Sequence, residues 1–165
     1  MIKYTENGSR LHEAIRAAGH TLVEHNGQWI ADDEQAVQAI IDGYDRRAAA
    51  LTEKWEAIKA ERDRRTLRGG YQVAGKWFHS DVFSRSQQIG MVLLGANLPA
   101  GLQWKTMDGS FVAMTPTLAQ QVFGAAAASD AAIFGTAEAK RAAMEASSEP
   151  WDYDVMAGWP PMFGE

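Results

Sequence analysis

The sequence predicts an α+β fold: a long helix over about residues 33–66, short β-hairpins before and after it, and an Ala-rich C-terminal helical segment. Three observations predict it. Apolar residues recur as Val37, Ile41, Tyr44, Ala48, Leu51, Trp55 and Ile58, in alternating steps of four and three, which is helical heptad spacing. Strand-like segments flank Asn26-Gly27, Ala74-Gly75 and Met107-Asp108-Gly109, the compositions of tight hairpin turns. Thr115-Pro116 joins a helix cap to a proline at the first helical position, just ahead of the alanine run.

In chain order, Ser9 is expected to cap a short helix, Arg10 to Ala18, that Gly19 closes in the left-handed region. His20 to His25 and Gln28 to Ala31 then pair through a type I′ turn, setting Val23 opposite Ile30 and Glu24 opposite Trp29. Asp32 or Asp33 caps the next helix, and Glu34 suits its positive end. Gly43 costs about 1 kcal/mol in a helix interior. It either divides the segment in two or is tolerated within one long helix, and the single helix is preferred. Arg62, Arg64, Arg65 and Arg68 fall in its last turns, favoured by the helix dipole, and Gly69-Gly70 stops it.

Beyond that stop, Tyr71–Val73 and Lys76–Phe78 form a second hairpin, and Asp81 caps an apolar helix carrying Ile89, Val92, Leu93 and Leu94. Leu102 to Thr106 and Ser110 to Met114 form a third hairpin. The helix that begins at Thr115-Pro116 extends to Ala146, with Ser129-Asp130 and Gly135-Thr136 as candidate interruptions. From Ser147 the chain is irregular and aromatic. The expected organisation is a small N-terminal α/β unit leading into the long helix (1–50), an α+β domain (51–148) and an aromatic, Pro-containing tail (149–165).

The 165 residues suffice for a self-supporting core, and the absence of cysteine excludes disulfides, cysteine-ligated zinc and thiol nucleophiles. A formal net charge of −5 argues against general nucleic-acid binding. The arginine cluster is balanced by Glu56, Glu61 and Asp63, so a solvated helix end or an intersubunit salt-bridge set is expected there. No apolar run reaches the roughly 18 residues of a membrane span, and Met1 to Glu6 lacks a signal-peptide core. A cytosolic location and no membrane partner are expected.

Candidate chemistry is sparse. His20 and His25, near Glu24, Asp32 and Asp33, fall on opposite strand faces, and neither they nor His12 and His79 form a metal-binding spacing. His79-Ser80-Asp81 holds the residue types of a hydrolase triad, but consecutive residues cannot adopt that geometry, and Asp81 reads better as a helix cap. Gly90 and Gly95 frame no P-loop, because the completing Lys-Ser/Thr is missing. No catalytic residue, metal or cofactor is therefore expected.

The six tryptophans are the stronger signal. Trp55 and Trp104 are expected in the core, whereas Trp77, Phe78, Trp151, Trp159 and Phe163 are the candidate partner-binding residues, as aromatics often anchor interfaces. The alternative for Trp151 and Trp159 is that the tail folds back onto the domain's own core. The heptad positions Tyr44, Leu51, Trp55 and Ile58 make a candidate homo-oligomer seam within 37–58, in competition with burial inside the chain.

From Trp55 to Pro160 the chain resembles a small domain of unassigned activity encoded among the tail genes of tailed bacteriophages. The resemblance lies in the helix ending Ile58…Arg62-Asp63-Arg64-Arg65 and the hairpin ending Phe78…Asp81, followed by Ser84-Arg85. It continues through Trp104-Lys105…Asp108-Gly109 and Gly158-Trp159-Pro160. It implies a non-enzymatic protein working by protein–protein binding in the host cytoplasm: a tail-fibre assembly chaperone or fibre-bound accessory, with a trimeric fibre protein as partner. A permanent virion component of the baseplate or fibre is the alternative, and an envelope-directed hydrolase a more distant one.

Overall fold

The computed structural model describes residues 2–4 and 9–165, the Ser9 side chain excepted. The fold is α+β: among these residues, five α-helices are interleaved with three separate two-stranded antiparallel hairpins. The first helix, α1 (Ser9–Ala17), includes Ser9 itself, so the expected start lies one residue late; the capping role foreseen for the Ser9 side chain lies outside the described residues. It ends at Ala17, one residue before the expected Ala18, and the closure by Gly19 is as expected. Gly19 sits at φ 84°, and the bonds from Gly19 N–H to Arg16 O and from His20 N–H to Ile15 O close it in a Schellman arrangement. The hairpin β1 (Leu22–His25) and β2 (Gln28–Ala31) turns through Asn26 and Gly27, both at positive φ, and pairs Val23 with Ile30 and Glu24 with Trp29.

The single long helix is not formed. Its place is taken by α2 (Glu34–Gly43) and α3 (Arg46–Arg68), separated by an extended Tyr44. Gly43 is a poor helix former, and Asp45 caps the new helix by accepting the Ala48 N–H at 2.9 Å. The heptad spacing survives the break because each helix buries its own stripe against a different core. Val37 and Ile41 join Ile2, Leu11, Ile15 and Leu22 in an N-terminal core, with Tyr44 packed at its edge. Ile58 instead joins Ala137 and Met144, with Leu51, Trp55 and Trp159 packed around them.

Gly69-Gly70 stops α3 as foreseen. The second hairpin, β3 (Tyr71–Val73) and β4 (Lys76–Phe78), pairs Tyr71 with Phe78 and turns through Ala74 and Gly75, both at positive φ. Asp81 caps α4 (Val82–Leu94). The third hairpin, β5 (Gln103–Lys105) and β6 (Phe111–Ala113), closes through a loop in which Gly109 adopts φ 83°. Then Thr115 caps α5 (Pro116–Ala146), which runs unbroken for 31 residues. Neither candidate interruption occurs, because alanine supplies high propensity throughout and Asp130 is bound from outside the helix by Arg85.

The helix α5 is the spine of the fold. Its N-terminal half packs with α4 and the two later hairpins around Tyr71, Phe78, Met91, Met114, Ala119, Val122 and Ala126. Its C-terminal half lies antiparallel to α3: Arg47 donates to the Glu145 and Ser147 carbonyls, and the Arg62 guanidinium covers the Phe134 ring. No described helix is long and apolar enough to cross a membrane.

Candidate functional site

The turn between β4 and α4 organises the centre of the domain. Ser80 is buried, and its Oγ accepts the Gly70 N–H at 3.0 Å, tying the end of α3 to the end of β4. Arg85, one turn into α4, donates to Ser80 O at 2.7 Å and Thr66 O at 3.1 Å, and holds both Asp130 oxygens at 2.6 and 2.8 Å. That pairing with Asp130 raises the guanidinium pKa. Gln88, also buried, hydrogen-bonds the Tyr71 hydroxyl and donates to His79 O at 3.0 Å. Burial pushes the Tyr71 phenol up.

Asp81 is spent as a cap. It accepts the Ser84 N–H at 3.0 Å and the Ser84 hydroxyl at 2.6 Å, the latter chiefly holding its carboxyl below the usual range. His79, Ser80 and Asp81 therefore serve three different structural bonds, and no nucleophile–base pair is assembled from them. Among the described residues, no group of three His, Asp or Glu side chains is placed to hold a metal ion.

Beside this turn opens a groove of about 510 Å³. One wall is the α4 face bearing Phe83, Ser84, Gln87 and Met91; the other is Leu102 with β5, and His79 closes one end. Trp104 packs against the core, as expected, yet also lines the groove, and its buried Nε1 has no hydrogen-bond acceptor. Lys105 makes no ion pair or hydrogen bond among the described residues, and no acidic side chain lines the cavity.

Outside the groove, α4 exposes an apolar stripe: Val82, Ile89 and Leu93, with Phe83 at the rim; Phe83 is 72 % and Leu93 81 % exposed. Ile89 and Leu93 are expected only as part of an apolar helix, and Val82 and Phe83 carry no expectation. The signal was present, since apolar residues at 82, 83, 89, 91, 92, 93 and 94 surround the helix, and one helix face cannot bury them all.

The expected partner-binding aromatics lie elsewhere. Phe78 is 1 % exposed in the core, so it cannot meet a partner without unfolding; its position opposite Tyr71 places it inward. Trp77 is half-buried and edge-on to Phe163 at 6.3 Å. Trp151 lies 3.9 Å under the Arg46 guanidinium, and Trp159 packs in the α3–α5 core with Nε1 donating to Val155 O at 2.8 Å. The tail thus folds back on its own domain.

Of the arginine cluster, Arg65 is buried, whereas Arg64 and Arg68 stay exposed. Arg64 and Arg65 both clamp Glu61, whose carboxyl is lowered chiefly by the Arg64 hydrogen bonds. Arg65 also donates to Pro160 O and to the Glu165 carboxylate, at 2.6 to 3.0 Å. At the seam, Ile58 is wholly covered by the chain itself, while Leu51 and Trp55 are half-buried beside it and Tyr44 belongs to the N-terminal core.

Residues 45–157 match a protein family described as a domain of unknown function (DUF4376). The match begins at Asp45, the residue that caps α3. No curated protein and no solved structure matches the chain.

Proposed function

The chain belongs to the DUF4376 family, and we propose that it is a protein-binding module acting as a bacteriophage tail-fibre assembly chaperone or fibre-bound accessory. The observation that supports a binding role is the apolar stripe of α4, Val82, Ile89 and Leu93, exposed beside a groove that an apolar rim residue, Phe83, overhangs. Exposed apolar surface concentrated on one element marks an interaction site more often than chance. The phage-tail setting is carried by the sequence resemblance alone. In this reading the protein works in the host cytoplasm, and the α4 face covers apolar surface of the trimeric fibre protein until the fibre is assembled.

Co-expression with a tail-fibre protein, the proposed partner, tests the proposal. Soluble trimer should rise with the wild-type chain and fall back with a Phe83→Ser, Leu93→Ser double variant, both positions being exposed and therefore harmless to folding. Fibre solubility that is indifferent to the chain sinks the chaperone reading. The same face would equally suit a lasting contact in a baseplate or fibre. Mass spectrometry of purified particles separates the two, because a permanent component is present stoichiometrically and a chaperone is not.

A further inference from the structure

Strand β5 is paired on one side only. Thr106 N–H bonds Ser110 O and Met114 N–H bonds Leu102 O, each at 2.8 Å, so residues 102, 104 and 106 face β6. By the alternation of an antiparallel ladder, the N–H and C=O of Gln103 and Lys105 point outward. The next outward amide, Met107 N–H, is taken by Trp77 O of β4 at 2.9 Å. Past that bond no described backbone bond joins β4 to β5, and the groove opens between β5 and α4, with His79 at one end.

We propose that this open edge receives an added strand: an extended segment of a partner protein in which apolar and acidic residues alternate. The outward groups of Gln103 and Lys105 supply the ladder bonds, and the alternating side chains divide between the two faces of the new strand. Met91, Leu102 and Phe83 offer apolar contact on the groove side. The unpaired Lys105 ammonium meets a carboxylate, and no acidic side chain of the lining repels it. Trp104 lines the groove and its Nε1 is buried without an acceptor among the described residues, so a segment seated against the indole changes that atom's surroundings. A lysine on a short edge strand also guards against self-pairing, but a guarded edge needs neither a walled groove nor an orphaned indole. The volume, about 510 Å³, lies within the roughly 300–1,000 Å³ of ligand clefts.

The inference rests on the protein-binding role and not on the fibre as partner. Its test uses the full ¹⁵N-labelled chain and the capped peptide acetyl-Val-Glu-Val-Glu-Val-amide. Saturable shifts and slowed amide exchange are expected at Gln103 and Lys105, together with a shift of the Trp104 indole N–H. Methylating the peptide's ladder-facing nitrogens should weaken binding about three- to tenfold, the worth of a hydrogen bond or so. A Val-Lys peptide should bind only the Lys105→Glu variant. The proposal is overturned if the N-methylated peptide binds equally, if shifts centre on Val82, Ile89 and Leu93 instead, or if nothing saturates up to the peptide's solubility. Peptide binding alongside an unresponsive fibre would remove only the fibre reading.

Discussion

Replacing Arg85 with alanine should be among the most damaging single changes outside the apolar core. The guanidinium joins three segments at once: the last turns of α3 through Thr66 O, the β4–α4 turn through Ser80 O, and the middle of α5 through both Asp130 oxygens. Its loss leaves two carbonyls and a carboxylate without their donor. Removing one partner of a fully buried pair costs about 3–5 kcal/mol. Here the side chains of Arg85 and Asp130 keep 23 % and 33 % of their exposure, so water compensates in part. About 2–4 kcal/mol remains, equivalent to a drop of roughly 6–12 °C in Tm for a chain of this size. Arg85→Lys should recover less than half of that loss, since one ammonium cannot reach three segments in the geometry of a planar fork. Urea unfolding followed by tryptophan fluorescence gives the values, and an Arg85→Ala, Asp130→Ala cycle isolates the pair. A loss below about 0.5 kcal/mol for Arg85→Ala, the level of an ordinary surface change, refutes the three-way tie.

Four further outcomes are expected. Gly70→Ala should destabilise by about 2–4 kcal/mol in the same denaturation assay, from a left-handed backbone and steric overlap together: Gly70 has φ 72°, and an added Cβ would meet Phe78 O at 2.9 Å and the Met107 sulfur closer still. Ala74→Asn should instead stabilise by about 0.5–1 kcal/mol, because Ala74 sits at φ 49° in a turn that favours Asn-Gly; a loss would show that the turn is not type I′ in solution. Thr115→Ala should cost about 1 kcal/mol through the lost cap on the Leu118 N–H, checked by Tm. Acid should loosen the tail: the Glu61 and Glu165 carboxyls are both held low, so their contribution is full above the unfolded values of about 4 and is lost as pH falls through the lower folded values. Fluorescence of Trp159 between pH 6 and about 2 follows it, and Arg65→Met should flatten the profile, since it removes a shared partner of Glu61 and Glu165.

What was legible in the sequence was local chemistry. Asn26-Gly27 and Ala74-Gly75 mark two-residue turns, and a two-residue turn fixes register: the pairing of Val23 with Ile30 is expected from the first, and the same geometry, not drawn on for the second, sets Tyr71 opposite Phe78. Asp81, Thr115 and Gly69-Gly70 marked helix ends by their capping chemistry. The break at Tyr44-Asp45 was harder, because the heptad spacing continues through it and hides a change of packing partner. Long-range burial was legible only as an open alternative, the return of Trp151 and Trp159 onto the domain's own core. Nothing near Phe163 announces that its N–H bonds Gly69 O at 2.8 Å, and nothing near Arg65 names Glu165 as its acceptor. The candidate site was missed for a related reason: apolar residues surround α4, which announces that some stay exposed, but only the three-dimensional course of the chain shows which of them no described element covers.

The return of the tail onto α3 has a consequence for the order of folding. The bonds from Arg65 to Pro160 and Glu165, and from Phe163 to Gly69, join residues 94 to 100 positions apart. While the chain is being synthesised, α3 is complete long before its partners leave the ribosome. In that interval the guanidinium of Arg65 and the apolar flank of Ile58 have neither the tail nor α5 to cover them. Contacts this distant in sequence form late and slowly. The local pairing of the two later hairpins therefore does not wait for the tail, whereas the cover over Arg65 does.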